Sequence, residues 1–129
     1  MTPDRRRLLA KLNDALTDAG LFYTFDDLVE LARKRLVAVH QDGDAIAISE
    51  IRRHPQGSEL NLIAAAGSLR DVLALEPQLE ALAREQGAVR MVTHGRPAWR
   101  PIAAKLGWHP VSLRYVKPLL PYSPKDGSA

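Results

Sequence analysis

The sequence predicts one α/β domain of the α+β kind. Its central sheet is mixed, with antiparallel strands first and a parallel β-α-β crossover after them, and helices cover both faces. Three observations lead there. Three strand-patterned segments follow one another, separated by the turn signals Asp42-Gly43 and Pro55–Gly57. A helix-period stretch from Ser68 to Gln86 then separates the third strand from another at Val89–Thr93, which is the spacing a parallel crossover needs. Finally, 129 residues with 46% hydrophobic content suit one modest core.

The elements follow in order. Thr2-Pro3 reads as a cap with proline in the first helical position, and Leu8, Leu9, Leu12, Leu16 and Ala19 recur at helical spacing up to Gly20. Thr24 with Asp27 approximates a capping box for a second helix, with Leu28, Val29 and Ala32 on its apolar side. Arg33, Lys34 and Arg35 close it, where cations suit the helix dipole.

Strand chemistry begins at Leu36–His40 and continues in 45–53, where Ile46, Ile48 and Glu50 share one face and Ala47, Ser49 and Ile51 the other. Glu59–Ala66 is the third strand. Ser68 caps a short helix with Leu69, Val72, Leu73 and Leu75 as its buried stripe. Pro77 breaks it, so a second helix runs from about Pro77 to Gln86 over Leu79, Leu82 and Ala83. Strand Val89–Thr93, helix Pro97–Leu106 and a last strand His109–Pro118 follow. The domain is expected over 1–118, with 119–129 an extended or disordered tail rich in proline.

Composition narrows the function. Without cysteine there are no disulfides or thiolate metal sites. His40, His54, His94 and His109 lack zinc-ligand spacing, so no metal is expected. No apolar run approaches a membrane span, and the amino terminus is a poor signal peptide, so a soluble cytoplasmic protein is expected. The net charge of +3 is concentrated where no acid occurs between Glu85 and Asp126, a stretch holding Arg90, Arg96, Arg100, Lys105, Arg114, Lys117 and Lys125. That stretch reads equally as a solvated face or one that meets phosphate. With aromatics at 5% and no nucleic-acid motif, Trp99 and Trp108 are better read as core anchors than as base-stacking platforms.

From about Leu36 to Lys117 the chain resembles the GNAT acyltransferase superfamily, on the runs Leu79–Ala88 and Lys105–Trp108. A narrower resemblance, on Glu50–Gly57, Leu60–Leu62, Ala66-Gly67 and Gly95–Trp99, is to small GNAT-like proteins of tailed bacteriophages. The superfamily implies acetyl-CoA, its pyrophosphate resting on backbone N–H groups between a strand and the next helix. A helix start offers unpaired donors there, and small residues let the backbone come close.

The matching residues are Ala65, Ala66, Gly67, Ser68, Leu69 and Arg70. They depart from the family pattern in having one glycine and no leading Arg or Gln. The family's tyrosine acid would fall on Ala103 and its asparagine near Arg96, so neither is present. Tyr115 reads as packing. Glu50 is the candidate general base, with Glu59 also on a strand; its competing reading is an ion pair with Arg52 or Arg53.

Two functions follow from the resemblance. One is an acetyl-CoA-dependent N-acyltransferase with a degenerate site. The other is a non-catalytic structural or interaction protein of a phage virion or its assembly, in the host cytoplasm or packaged, with virion proteins or further copies of itself as partners.

Overall fold

Helix α1 (Pro3–Asp18) and helix α2 (Phe25–Arg33) precede a sheet of four strands, β1 (Ala38–Asp42), β2 (Ala45–His54), β3 (Gly57–Ala66) and β4 (Ala88–Thr93). Helices α3 (Leu69–Ala74) and α4 (Glu76–Glu85) connect β3 to β4, and α5 (Arg100–Lys105) follows. This is a computed structural model, and it describes residues 3–18, 23–94, 100–111 and 115–120. The Thr2 cap, the Gly20 stop, Trp99, the start of the helix expected from Pro97, and 121–129 lie outside the described residues.

Sheet order is β1-β2-β3-β4. The first two pairings are antiparallel and β3 with β4 is parallel, which is the mixed sheet expected. The capping box forms as read: Thr24 N–H donates to Asp27 Oδ2 at 2.8 Å, and Asp27 N–H to Thr24 Oγ1 at 3.1 Å. Pro77 falls in the first turn of α4, where its missing N–H costs nothing, so the break comes at Leu75.

The two sheet faces differ. Ile46, Ile48, Ile63, Ala64 and Ala66 meet Leu12 of α1 and Leu28 of α2. Ala45, Ala47, Leu60 and Leu62 meet Leu75, Leu79 and Ala83 from α3–α4. Ile63 and Ala64 share a face, against strand alternation, because the β2–β3 register shifts between Ile48 and Ser49. A bulge there resets the phase of β3. Each fully buried Leu contributes about 1.5–3 kcal/mol.

One expected element differs. Residues 109–111 and 115–118 form no strand, and 112–114 lie outside the described residues. Tyr115, read from sequence as a packed side chain, is 87% exposed.

Candidate functional site

The parallel ladder of β3 and β4 ends at Leu62↔Thr93. β3 runs on to Ala66, still paired with β2 through Ala64↔Ile48, Ala65↔Ala47 and Ala66↔Ile46. Along Ile63–Ala66, therefore, the edge facing away from β2 carries no ladder among the described residues. Thr93 Oγ1 donates to the Leu62 carbonyl at 3.1 Å, so a side chain terminates the ladder where the strands part.

Beyond that point β3 turns at Gly67-Ser68 into α3. A hollow of about 160 Å³ lies there, lined by Ala65, Ala66, Gly67, Leu69 and Val72. Leu69, expected in the buried stripe, is instead 41% exposed and forms one wall. The reason is positional: it sits beyond the end of β3, where no strand among the described residues covers it.

The turn is fixed from two sides. Asp71 N–H donates to Ser68 Oγ at 3.3 Å, and Asp71 Oδ2 accepts from Asp44 N–H at 3.3 Å, tying α3 to the β1–β2 hairpin tip. The N–H groups of Leu69 and Arg70 belong to the first turn, where a helix has no acceptor of its own. Arg70 is largely in solvent, its guanidinium 3.8 Å from Asp71.

Gly67 is glycine for a reason not visible in sequence. Its φ is +131°, and a Cβ there would stand 2.5 Å from the Asp44 carbonyl oxygen and 2.8 Å from Ala45 Cα. A side chain there would run into the protein's own hairpin, while the residue also lines the hollow.

Glu50 lies on the α1/α2 face of β2, opposite Asn61. Its Oε1 accepts from Arg52 Nε at 2.9 Å and from Asn61 Nδ2 at 3.1 Å. The pairing with Arg52 is thus present. Glu50 stands one strand away from the β3–β4 split, and Asn61 bridges the gap, since it pairs with Val92 one position before the ladder ends. Asn61 and Thr93 are the residues that sequence reasoning did not select. The signal for Asn61 was available: it is one amide between Leu60 and Leu62, beside the apolar run 62–66.

Glu59, the other strand carboxylate, is buried and committed elsewhere. Its Oε1 accepts from Arg90 Nη2 at 2.9 Å and stands 3.2 Å from His54 Nε2. The Arg90 hydrogen bond holds its carboxyl below the ordinary range, against the opposing effect of burial. It lies at the opposite end of the strands from the split. Ala103 is half-buried, His94 is exposed just past β4, and Arg96 lies outside the described residues.

The end of α5 carries the Leu-Gly-Trp run. Gly107 has φ +89°, the conformation that closes a helix, and Trp108 N–H returns to the Ala103 carbonyl at 2.9 Å. Trp108 Nε1 donates to Glu76 Oε1 at 3.3 Å, so the tryptophan joins α5 to the start of α4. Burial raises the Glu76 carboxyl above the usual range, partly offset by this bond. Among the described residues no cluster of His, Asp or Glu is placed to hold a metal ion, and no helix is long and apolar enough to cross a membrane.

Similar architecture recurs in solved acetyltransferases. An acetyltransferase of Trypanosoma brucei superposes with a TM-score of 0.63 at 15% identity, covering 90% of this chain and 91% of the other. Glucosamine-6-phosphate N-acetyltransferase of Arabidopsis thaliana gives 0.60 at 15%, covering 90% and 92%. A predicted acetyltransferase of Clostridium acetobutylicum, solved with acetyl-CoA, gives 0.63 at 13%, covering 90% of each chain. The fold is that of the GNAT acetyltransferases. No protein-family model matches the sequence, and no curated protein matches it either. At these identities the GNAT likeness concerns the fold, and residue roles have to be argued from the site itself.

Proposed function

We propose that this protein is an acetyl-CoA-dependent N-acyltransferase. The observation that carries the reading is the parting of β3 and β4 after Leu62↔Thr93, with the Ala65–Val72 hollow directly beyond it. The residues fit the cofactor's chemistry. First-turn N–H groups of Ser68, Leu69 and Arg70 suit a pyrophosphate, with the Arg70 guanidinium adding charge. The unladdered edge of Ile63–Ala66 suits an amide-bearing arm, because extended backbone pairs with any such chain. The cofactor would supply an activated acyl thioester.

The chain's own part is to orient and to manage protons. An acceptor amine meets Glu50, the more exposed of the pair, with the buried Asn61 amide behind it. Glu50 takes the amine proton, directly or through one water, and Asn61 fixes the carboxylate's direction. No tyrosine stands at Ala103, so solvent protonates the departing thiolate in this reading. The virion alternative gains no support from any feature above and is not pursued.

Two measurements test the proposal. Acetyl-CoA should raise the melting temperature, and Leu69→Glu, which puts a negative charge in the hollow, should abolish that rise without lowering the ligand-free value by more than a degree or so. With an accepting amine in hand, Glu50→Gln should lower kcat by about 10²–10⁴-fold and leave acetyl-CoA affinity unchanged. Full activity in Glu50→Gln removes the base assignment. No thermal shift at millimolar acetyl-CoA removes the whole reading.

A further inference from the structure

Glu50 and Asn61 are the start of a longer polar surface. Apolar packing of the sheet against α1 and α2 stops at Ile48 on β2 and Ile63 on β3. Past those residues the same face continues through Arg52 and His54 on β2, Glu59 on β3 and Arg90 on β4. Arg52 pairs with Glu59 and Glu59 with Arg90, so the three stand in one row across the strands.

This row holds more donors than its one acid can use. Arg90 Nε, Arg90 Nη2 and His54 Nε2 converge on Glu59 Oε1, at 3.3, 2.9 and 3.2 Å. The Glu59 side chain is 8% exposed, while those of Arg90 and Arg52 are 62% and 48% exposed. Arg90 alone would neutralise Glu59, so Arg52 is surplus in the row. It gives only its Nε, to Glu50 at 2.9 Å. Its two Nη groups, and Arg90 Nη1, have no partner among the described residues.

The charges are therefore ordered along the strands. Glu50 is negative beside the strand split, and the Arg52–Glu59–Arg90 row carries a net positive charge about 7 Å farther from it. A compound with an ammonium at one end and an oxyanion at the other matches that order. We propose that the acceptor is such a compound: a primary amine bearing a carboxylate or phosphate group, the amine at Glu50 and the oxyanion on the outward N–H groups of Arg52 and Arg90. Guanidinium forks suit either oxyanion, since both present paired oxygens. The inference rests on the acetyl-CoA reading and adds the acceptor's class to it.

Matched amines test it, on wild-type protein already shown to gain thermal stability with acetyl-CoA. Glycine, β-alanine and γ-aminobutyrate are compared with their carboxamides, and phosphoethanolamine with ethanolamine. At least one acidic amine should exceed its neutral counterpart by about tenfold or more in kcat/KM, mostly through KM, with the gap narrowing as salt rises. The pair with the larger gap identifies the oxyanion. Arg52→Gln should shrink the gap by about tenfold. Glu59→Gln should widen it, because Arg90 then has no carboxylate to share; an ion pair that only holds the sheet together would not sharpen selectivity.

Equal use of neutral and acidic amines overturns this inference and leaves the acyltransferase reading standing. Where acetyl-CoA binds and no amine turns over, NMR decides: saturable amide shifts at Arg52 and Arg90 with the acidic amines alone support the inference, and their absence overturns it. Without a thermal shift from acetyl-CoA, the reading and the inference fall together.

Discussion

Replacing Gly67 by alanine separates what this residue does for the fold from what the turn does for a ligand. The new Cβ would stand 2.5 Å from the Asp44 oxygen and 2.8 Å from Ala45 Cα, and both are backbone atoms. Backbone cannot swing aside as a flexible side chain does, so the hairpin tip or the turn must move. A left-handed φ of +131° adds conformational strain of about 1–3 kcal/mol for any non-glycine residue. Overpacking adds about 1–3 kcal/mol more. Taking about 3 kcal/mol as the sum, and roughly 3–4 °C per kcal/mol for a domain of this size, the melting temperature should fall by roughly 10 °C. Thermal denaturation followed by circular dichroism measures it, without ligand. A fall of less than about 2 °C would refute the claim that Gly67 is required by the Asp44–Ala45 crossing. The contrast with Leu69→Glu is informative, since that variant should keep the fold and lose the ligand.

Three further outcomes follow from local chemistry. His40 is buried, its Nε2 is 2.8 Å from Ser49 Oγ, and desolvation lowers its pKa below the ordinary 6.5. The unfolded chain then binds the extra proton more readily than the native state. Stability should be intact above about pH 6.5 and decline as pH falls from there to the lowered value, and His40→Gln should flatten that part of a urea-midpoint profile.

Glu59, lowered below its ordinary 4.5 chiefly by Arg90, contributes stability that is present above about pH 4.5 and lost as pH drops through the folded value; Glu59→Gln should remove this acid-range loss. Arg35 occupies a left-handed position, φ 59°, at the end of α2, where its N–H bonds Ala32 O at 3.0 Å and Leu36 N–H bonds Leu31 O at 2.9 Å. Arg35→Gly should therefore stabilise by about 1 kcal/mol in chemical denaturation, because glycine adopts that conformation without strain.

Local signals were legible because their causes are local. Thr24 and Asp27 specify a cap across three residues, Asp42-Gly43 specifies a two-residue hairpin, and Pro77 dictates where one helix stops and the next begins. The order of strands followed from the change of period at Ser68. What sequence did not yield depends on contacts between distant segments. The β2–β3 bulge, which places Ile63 and Ala64 on one face, is a property of two strands in register. The need for glycine at 67 depends on a crossing with a hairpin some twenty residues earlier in the chain, which no local pattern encodes.

Leu69 carried a core-like spacing, yet the sheet ends before reaching it. The alternation in 109–118 was real as a pattern and produced no strand in the described residues, since a ladder needs a partner. In the candidate site, the turn Ala65–Arg70 was placed through the GNAT resemblance, with only its small residues and the Ser68 cap read from the residues themselves, and a ligand there is part of the proposal. Asn61 was passed over because its place beside the strand split exists only once β4 is laid against β3.

The most direct test of the account is a residue-resolved NMR titration of the wild-type protein with acetyl-CoA. The account predicts saturable amide shifts concentrated in Ile63–Arg70 and at Thr93, with β1 little affected. Saturable shifts confined to another surface, or none at millimolar ligand, would contradict it.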